Sequence, residues 1–215
     1  MVLVYLYLQF YAFFYIRSLY FKCVTNILKK KFLREAYLKK REELPSTIFV
    51  ERSSLLIKNS IELINKYKPG CIHCFLPIHS KNEINTLPII QFCWENNIDV
   101  VVPVSSFEDC MLKNAEFKPD TKTKQAEYNL TEPMNPVWVN SKMIDMVITP
   151  LLAFDSKGYR VGFGKGFYDR FFATINKEVK KVGISLFEAC EKIEDINEKD
   201  IPLTHCVTPY KNYSF

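Results

Sequence analysis

DSKGYRVGFGKGFYDRFF, residues 155–172, follows an apolar run over residues 146–154 and leads into a stretch that predicts a helix. A strand, a glycine loop and a helix in this order favour a phosphate site, because glycines let backbone N–H groups approach phosphate oxygens and a helix start adds partial positive charge. The alternative is a tight turn whose glycines serve only the backbone, with Asp169 in a helical first turn that the dipole favours.

The spacing of the glycines excludes the two common nucleotide loops. Gly162, Gly164 and Gly166 alternate with other residues, so that the third glycine of a dinucleotide fingerprint would fall at Phe167. A P-loop would need Gly-Lys-Ser/Thr, which this loop lacks. If this loop binds phosphate, it is therefore neither a dinucleotide fingerprint nor a P-loop.

Two cations and a carboxylate accompany this loop. Arg160 and Lys165 flank the first glycines, and Asp169 follows shortly after them. Mg²⁺ is usually bound through oxygen ligands together with substrate phosphates. The combination therefore favours a polyphosphate held with a divalent metal.

Five segments, in order, resemble 5-formyltetrahydrofolate cyclo-ligases, also called 5,10-methenyltetrahydrofolate synthetases. TPLLAFDSKGYRVGFGKGFYDR at 149–170 resembles the signature of that family, in which a glycine-rich arginine loop runs into an aromatic-Tyr-Asp. The other segments are KKFLR at 30–34, NEINT at 82–86, NLTEP at 129–133 and NEKD at 197–200. Five matches in the same order make chance an unlikely source of the resemblance.

The resemblance implies an enzyme that uses ATP and Mg²⁺ to cyclise 5-formyltetrahydrofolate to 5,10-methenyltetrahydrofolate, releasing ADP and phosphate. It implies an α/β fold in one domain, a mainly parallel sheet flanked by helices of the NagB/RpiA/CoA-transferase type, in a monomer. The implied catalytic residues are Lys165 and Arg160, and the implied ATP-binding residues are Lys30, Arg34, Arg160, Val161, Gly162, Phe163, Gly164, Lys165, Gly166, Phe167 and Tyr168. The implied substrate-binding residues are Ile78, Glu83, Phe163, Gly164, Lys165, Gly166 and Phe167, and the implied metal ligands are Asp169 and Asp200.

The sequence departs from the family pattern at several positions. Phe163 replaces a Tyr or Arg, Phe167 replaces the first Tyr of Tyr-Tyr-Asp, and Val161 replaces a Leu. NLTEP lacks the leading Gly of the family segment. Asp200 lies in a looser match than Asp169, so that Asp195 is an alternative second metal ligand.

Composition restricts the remaining function classes. A chain of 215 residues is the size of one domain, and a net charge of +5 spread along the sequence does not favour nucleic-acid binding. Seven cysteines, an odd number, favour a reducing compartment, hence the cytoplasm. Cys71 and Cys74 form a CxxC in a predicted strand without a second ligand pair, which favours core cysteines. His73, His79 and His205 are scattered and form no predicted catalytic or metal group.

Residues 1–26 are treated separately from the predicted domain at 27–215. The first 16 residues carry no charge, and cationic residues follow, which fits neither a signal peptide nor a transit peptide. A membrane anchor and a non-native extension of the coding region both remain open. Membrane contact, or a mitochondrial or membrane-tethered form, is expected only if this segment is a real targeting element.

The predicted elements alternate. Helices are predicted at 26–44, 46–67 and 84–96, and strands at 71–78, 98–104, 146–149, 179–185 and 206–209. This alternation predicts a parallel sheet, with ligands beyond the carboxyl ends of its strands. The loop with Glu83 should therefore lie near the loop at 160–168.

Three interpretations concern charged residues and loops. From periodicity alone, Lys30 and Arg34 are a solvated basic face of the first helix, although their spacing puts both on one side. Residues 105–137 predict a short hairpin and a long loop over the site. Glu132 in that region is predicted to be a loop carboxylate in water.

Two other functions remain as alternatives. One is a relative of the same fold that binds folate or nucleotide without turnover. The other is a different small kinase or ligase with the same loop, since a fold does not fix a function.

Overall fold

The computed structural model describes residues 28–215, apart from the side chain of His79. The predicted extension at 1–26 and residue 27 therefore lie outside the described part of the chain. Within that part, no helix combines the length and apolar character that crossing a membrane requires.

In the described part of the chain, four α-helices flank the sheet: α1 Lys30–Glu42, α2 Ser46–Tyr67, α3 Leu87–Glu95 and α4 Phe167–Thr174. The bounds of α2 agree with the prediction, because Pro45 precedes it and Lys68, in the left-handed conformation, ends it before Pro69. α3 is shorter than predicted. It begins only after Thr86, with Pro88 in its first turn, where a missing N–H costs nothing.

The strands are β1 Cys71–Cys74, β2 Asp99–Ser106, β3 Met111–Glu116, β4 Thr123–Gln125, β5 Thr131–Pro133, β6 Trp138–Val139, β7 Met146–Pro150, β8 Ala153–Phe154, β9 Arg160–Val161, β10 Lys180–Ile184, β11 His205–Val207 and β12 Asn212–Ser214. Eight of them form one sheet in the order β12-β11-β10-β7-β1-β2-β3-β6. The five strands from β11 to β2 are parallel, and β12 and β3 are antiparallel to their neighbours. The predicted mainly parallel sheet of one domain is confirmed.

Two parts of the sheet differ from the prediction. β1 ends at Cys74 instead of residue 78, and Pro77, which lacks a backbone donor, lies in the segment that leaves the sheet. Residues 105–137 contain a short hairpin, β4 with β5, as predicted, but β3 also pairs with β2 over six residue pairs, which was not predicted. The main sheet is therefore wider than predicted, and less of residues 105–137 is loop.

The sheet buries a core on each face. Strand β7 shows the alternation: Met146 and Ile148 pack with α2 and α3, whereas Val147 packs with Phe171 and Phe172 of α4. A third, smaller core lies between α1 and the β8–β9 hairpin. Cys71 and Cys74 are buried and free, as expected for core cysteines. Helix α4 is thus held directly behind the glycine loop.

Candidate active site

The glycine loop joins β9 to α4. Gly164 has φ +94° and Gly166 has φ +72°, so both occupy the left-handed region that glycine favours. A Cβ added at Gly164 would lie 3.1 Å from the guanidinium carbon of Arg34, whose Nε donates to the Gly162 carbonyl at 2.8 Å. Helix α1 and the loop are therefore in direct contact, as the resemblance implies for an ATP site.

Lys30 lies at the start of α1 and contacts the Asp200 carboxylate. The side chains of Lys30 and Asp200 are only 17% and 16% exposed, and Arg34 is half-buried against the Gly162 carbonyl, so the solvated-face interpretation of Lys30 and Arg34 is wrong. Asp195 instead accepts the backbone N–H of Lys30 at 2.7 Å and so serves the helix start. Of the two candidate carboxylates, Asp200 is the one that lies beside the cationic side chain.

Arg160 is held from three sides. Its Nη2 donates to Asp169 Oδ1 at 2.8 Å, its Nη1 donates to the Ile201 carbonyl at 2.6 Å, and its guanidinium lies 4.6 Å from the Phe172 ring centroid. The Ile201 N–H donates to the same Asp169 oxygen at 3.1 Å. Burial lowers the pKa of Arg160, while Asp169 and, more weakly, Asp200 raise it. The arginine is a fixed cation with two carboxylates in its surroundings.

Glu83 lies in the loop that follows β1. Its Oε2 accepts the Ile78 N–H at 2.8 Å, and the residue is 8% exposed. Burial raises the pKa of Glu83 to about 7, against the opposing effects of the Ile78 N–H and of Arg41. Because β1 and β7 are parallel neighbours, this loop and the chain that leads to Arg160 leave the same edge of the sheet, as predicted.

Arg41 belongs to this region, although the sequence analysis did not select it. It is 5% exposed, its Nη2 donates to the Leu151 carbonyl at 2.7 Å, and its Nε is buried without a hydrogen-bond partner within residues 28–215. Its spacing of seven residues from Arg34 puts both on one face of α1. That spacing is a signal that could have identified it.

An aromatic cluster adjoins the glycine loop. The Phe107 ring centroid lies 4.6 Å from that of Tyr128 and 5.3 Å from that of Phe167, and the Lys165 ammonium lies 5.8 Å from the Tyr128 ring centroid. Tyr128 is 63% exposed and has φ +56°. Residues from the 105–137 region therefore do lie against the loop, and Tyr128 is a candidate that sequence reasoning missed.

Glu132 is not the solvated carboxylate that was predicted. It is 7% exposed, and its Oε1 accepts the Ser105 N–H at 2.8 Å. A backbone donor at the end of β2 compensates its burial. Its role in the structure is to fasten the β4–β5 hairpin to the main sheet.

Tyr168, in the first turn of α4, contacts a buried histidine. Its hydroxyl lies 3.5 Å from His73 Nε2, and His73 Nδ1 lies 2.9 Å from Asn114 Oδ1. Burial lowers the pKa of His73 to about 4. His73 is thus part of a local network that links β1, β3 and α4.

A sequence model described as the 5-formyltetrahydrofolate cyclo-ligase family matches residues 26–209. The 5-formyltetrahydrofolate cyclo-ligase of Haemophilus influenzae is 30% identical over 186 residues, which cover 83% of this chain and 96% of that protein. A probable 5-formyltetrahydrofolate cyclo-ligase of Schizosaccharomyces pombe is 26% identical over 200 residues, 86% of this chain and 97% of that protein.

Two solved structures are similar as well. The NMR structure of Aquifex aeolicus 5,10-methenyltetrahydrofolate synthetase has a TM-score of 0.69 at 26% identity, covering 86% of this chain and 92% of that one. The Mycoplasma pneumoniae 5,10-methenyltetrahydrofolate synthetase has a TM-score of 0.65 at 21% identity, covering 84% and 98%, and supports the fold. The match over most of its length establishes that the chain belongs to the 5-formyltetrahydrofolate cyclo-ligase family.

Proposed function

We propose that the protein closes 5-formyltetrahydrofolate to 5,10-methenyltetrahydrofolate and consumes ATP in doing so. The observation that supports this most directly is the meeting of α1 and the glycine loop, where Arg34 binds the Gly162 carbonyl and packs on Gly164. Cations from two distant parts of the chain thereby face one loop whose backbone suits phosphate oxygens.

The chemistry requires activation of the formyl oxygen, because an amide-like oxygen is a poor leaving group. Transfer of the terminal phosphoryl group of ATP to that oxygen releases ADP and makes the oxygen part of a phosphate. The neighbouring anilino nitrogen of the same molecule then attacks the formyl carbon. Phosphate leaves, and the nitrogen loses its proton as the ring closes. Such a reaction needs positioning and neutralisation of charge more than covalent assistance.

The cations divide into fixed and exposed groups. Arg160 is held by Asp169 and by the Ile201 carbonyl, so it offers a charge whose position is set before any ligand arrives. Lys165 is exposed at the tip of the loop and can follow a transferring phosphoryl group. Arg34 reaches the loop from α1, and Lys30, one turn earlier on the same helix, contacts Asp200. We assign phosphate binding to all four and the catalytic role to Lys165 and Arg160.

The donor set fits a Mg²⁺ ion that arrives with a nucleotide. Asp169 pairs with Arg160 and also accepts the N–H of Ile201, the residue that follows Asp200, which supports a shared role for the two carboxylates. The protein would supply these two carboxylates, and phosphates and water would supply the remaining ligands, as is usual for Mg²⁺. The ion would neutralise charge on the triphosphate.

The folate side of the site centres on Glu83. Its carboxylate can accept hydrogen bonds from N–H groups of the pterin, and its pKa of about 7 makes the strength of this contact sensitive to pH near neutrality. Phe163 and Phe167 are proposed to pack on ligand rings, and Tyr128 adds an exposed aromatic face beside Lys165. We propose that the protein acts as a monomer.

The test is to incubate the purified full chain with ATP, Mg²⁺ and 5-formyltetrahydrofolate and to follow the near-ultraviolet absorption of the methenyl product together with ADP. We expect both products in equal amounts and neither when ATP is left out. A folded chain that binds folate but forms no product would instead be the non-catalytic relative.

A further inference from the structure

The contact between His73 and Tyr168 links the middle of the sheet to the proposed site. His73 is fully buried in β1, and Asn114, 6% exposed, lies in β3 on the far side of β2. The His73 ring packs edge to face on Tyr168, with centroids 5.8 Å apart, and lies 4.8 Å from the Phe171 ring. Both aromatic neighbours belong to α4, whereas Asn114 belongs to β3, so the imidazole is held from two sides.

The hydrogen bond to Asn114 decides which ring nitrogen of His73 carries the proton. The amide oxygen of Asn114 lies 2.9 Å from Nδ1 and can only accept, so Nδ1 must donate. Burial keeps the imidazole neutral at neutral pH, since the pKa of His73 is lowered to about 4. Nε2 therefore keeps a lone pair, and the Tyr168 hydroxyl, 3.5 Å away, donates to it.

The direction of this bond determines what Tyr168 can offer a ligand. Once the hydroxyl proton points at His73, the phenol oxygen has only lone pairs left, so it can accept but not donate. Tyr168 comes two residues after Gly166, and its hydroxyl contacts His73 near the carboxyl end of β1, the strand whose following loop holds Glu83. It therefore lies at the same edge of the sheet as the carboxylate assigned to the folate.

We propose that His73 and Asn114 are positioning residues that orient the Tyr168 hydroxyl as a hydrogen-bond acceptor for an N–H group of the folate substrate. This inference rests on the proposed function. The distance of 3.5 Å is long for such a bond, and hydrogen bonds in ligand-free sites often shorten when the substrate binds. We expect this one to shorten in the folate complex.

The chain contains a matched control at the opposite end of the sheet. His205, at the amino end of β11, contacts the Tyr67 hydroxyl through Nε2 at 2.7 Å. It is also buried, at 8% exposure, yet it lies at the start of a parallel strand rather than beyond its carboxyl end. Loss of a buried histidine–tyrosine contact in general can thus be separated from loss of the one at the site.

The experiment compares full-length variants by titration with 5-formyltetrahydrofolate in the absence of ATP. His73→Phe keeps an aromatic ring without the acceptor, and we expect it to raise the Kd about 10-fold, the effect of one lost hydrogen bond. His73→Gln, whose amide oxygen can take the place of Nε2, should restore most of the affinity. His205→Phe should leave the Kd within about 2-fold of wild type.

A double variant separates action through Tyr168 from a general disturbance. His73→Phe combined with Tyr168→Phe should bind no more weakly than Tyr168→Phe alone, because the histidine acts only through the hydroxyl. If the double variant lost affinity by the product of the two single effects, the proposal would be overturned. It would also be overturned if His205→Phe raised the Kd as much as His73→Phe does. A wild-type chain that binds folate without forming product would contradict the proposed function alone, and a chain that does not bind folate would overturn both.

A spectroscopic measurement addresses the proton position directly. Nitrogen-15 spectra should show His73 with a protonated Nδ1 and an unprotonated Nε2 from pH 6 to 8, and Asn114→Leu should abolish this preference. A protonated Nε2 in the wild type would overturn the proposal whatever the titrations give.

Discussion

The amino and carboxyl ends of the sheet each hold a buried histidine against a tyrosine hydroxyl, yet the two places are built differently. At the amino end, His205 contacts Tyr67 at 2.7 Å, and its other nitrogen lies 2.9 Å from the Thr204 hydroxyl. At the carboxyl end, the His73 contact with Tyr168 is 3.5 Å. The first contact has the length of a normal hydrogen bond, whereas the second is long and lies beside the proposed site.

Other groups at the carboxyl end repeat this pattern. The Nε of Arg41 and the Oγ1 of Thr149 are buried without a hydrogen-bond partner within residues 28–215, and Glu83 is buried with one backbone donor. Unpaired buried polar groups lower stability unless something binds them. The difference teaches that the amino end stabilises the fold, while the carboxyl end keeps bonding capacity for a ligand.

The largest expected effect comes from substitution of Lys165 at the carboxyl end of the sheet. It should change activity and leave stability unaffected. Lys165→Ala should lower kcat/KM by about 10²–10³, the scale for a group that stabilises transition-state charge. Because the side chain is exposed, the melting temperature should stay unchanged. Steady-state kinetics and thermal unfolding measure the two quantities.

Lys124, an exposed lysine in β4, is the control for this variant. Lys124→Ala should keep full activity. Equal losses in the two variants would mean that overall charge, not the position of Lys165, is responsible.

A variant of Asp169 should affect both activity and stability. Asp169→Asn removes the charge that pairs with Arg160, whose side chain is 6% exposed, so a buried cation loses its partner. We expect a loss of about 3 kcal/mol in the free energy of unfolding in denaturant, together with loss of product formation.

Asp145 supplies the matching change at the amino end. Its Oδ2 accepts the N–H groups of Gly70 and Cys71 at 2.8 and 3.0 Å. Asp145→Asn should cost about 1–2 kcal/mol and leave kcat/KM intact. Loss of activity here would contradict the division between the two ends.

The raised pKa of Glu83 predicts that the stability of the protein depends on pH. Its pKa is raised from 4.5 to about 7 by burial, so the folded protein holds the proton more tightly than the unfolded chain does. The contribution to stability is present below pH 4.5 and is lost as the pH rises through 7, by on the order of 3 kcal/mol.

Glu83→Gln should therefore raise the melting temperature above that of wild type at pH 8 but not at pH 4.5, while folate affinity falls. Thermal unfolding at the two pH values measures this. The same increment at both values would show that ionisation of Glu83 is not the cause.

The smallest expected effect is at the amino end. Tyr67→Phe removes the hydroxyl that contacts His205 and should cost about 1 kcal/mol of unfolding free energy with no change in kcat/KM. Denaturant unfolding and the absorbance assay measure both. A change in KM for either substrate would show that the two ends are coupled.

Local sequence signals correctly predicted features that depend on residues close together in the chain. Prolines and a glycine fixed the bounds of α2, and alternating glycines located the loop at 162–166. Strand β3 was missed because charges and prolines in 105–137 conceal its pairing with β2, and β6 was missed because it consists of two residues that pair only with β3.

The buried charges could not be predicted in the same way. Arg41 and Glu132 are paired with backbone groups of Leu151 and Ser105, which only the folded chain brings near. The partners of His73 are 41 and 95 residues away. Periodicity describes which face of an element is apolar, but a polar residue on a buried face depends on contacts that the pattern does not contain.

The bond between α1 and the glycine loop also has a consequence for synthesis of the protein. Arg34 binds the Gly162 carbonyl, which is synthesised 128 residues later, and Lys30 contacts the Asp200 carboxylate, which is synthesised 170 residues later. At about 5–20 residues per second, a ribosome needs on the order of 10–30 s to make that stretch. The proposed nucleotide site is therefore among the last parts of the molecule that can form. A nascent chain that ends before Asp200 contains α1 but lacks the carboxylate that Lys30 contacts.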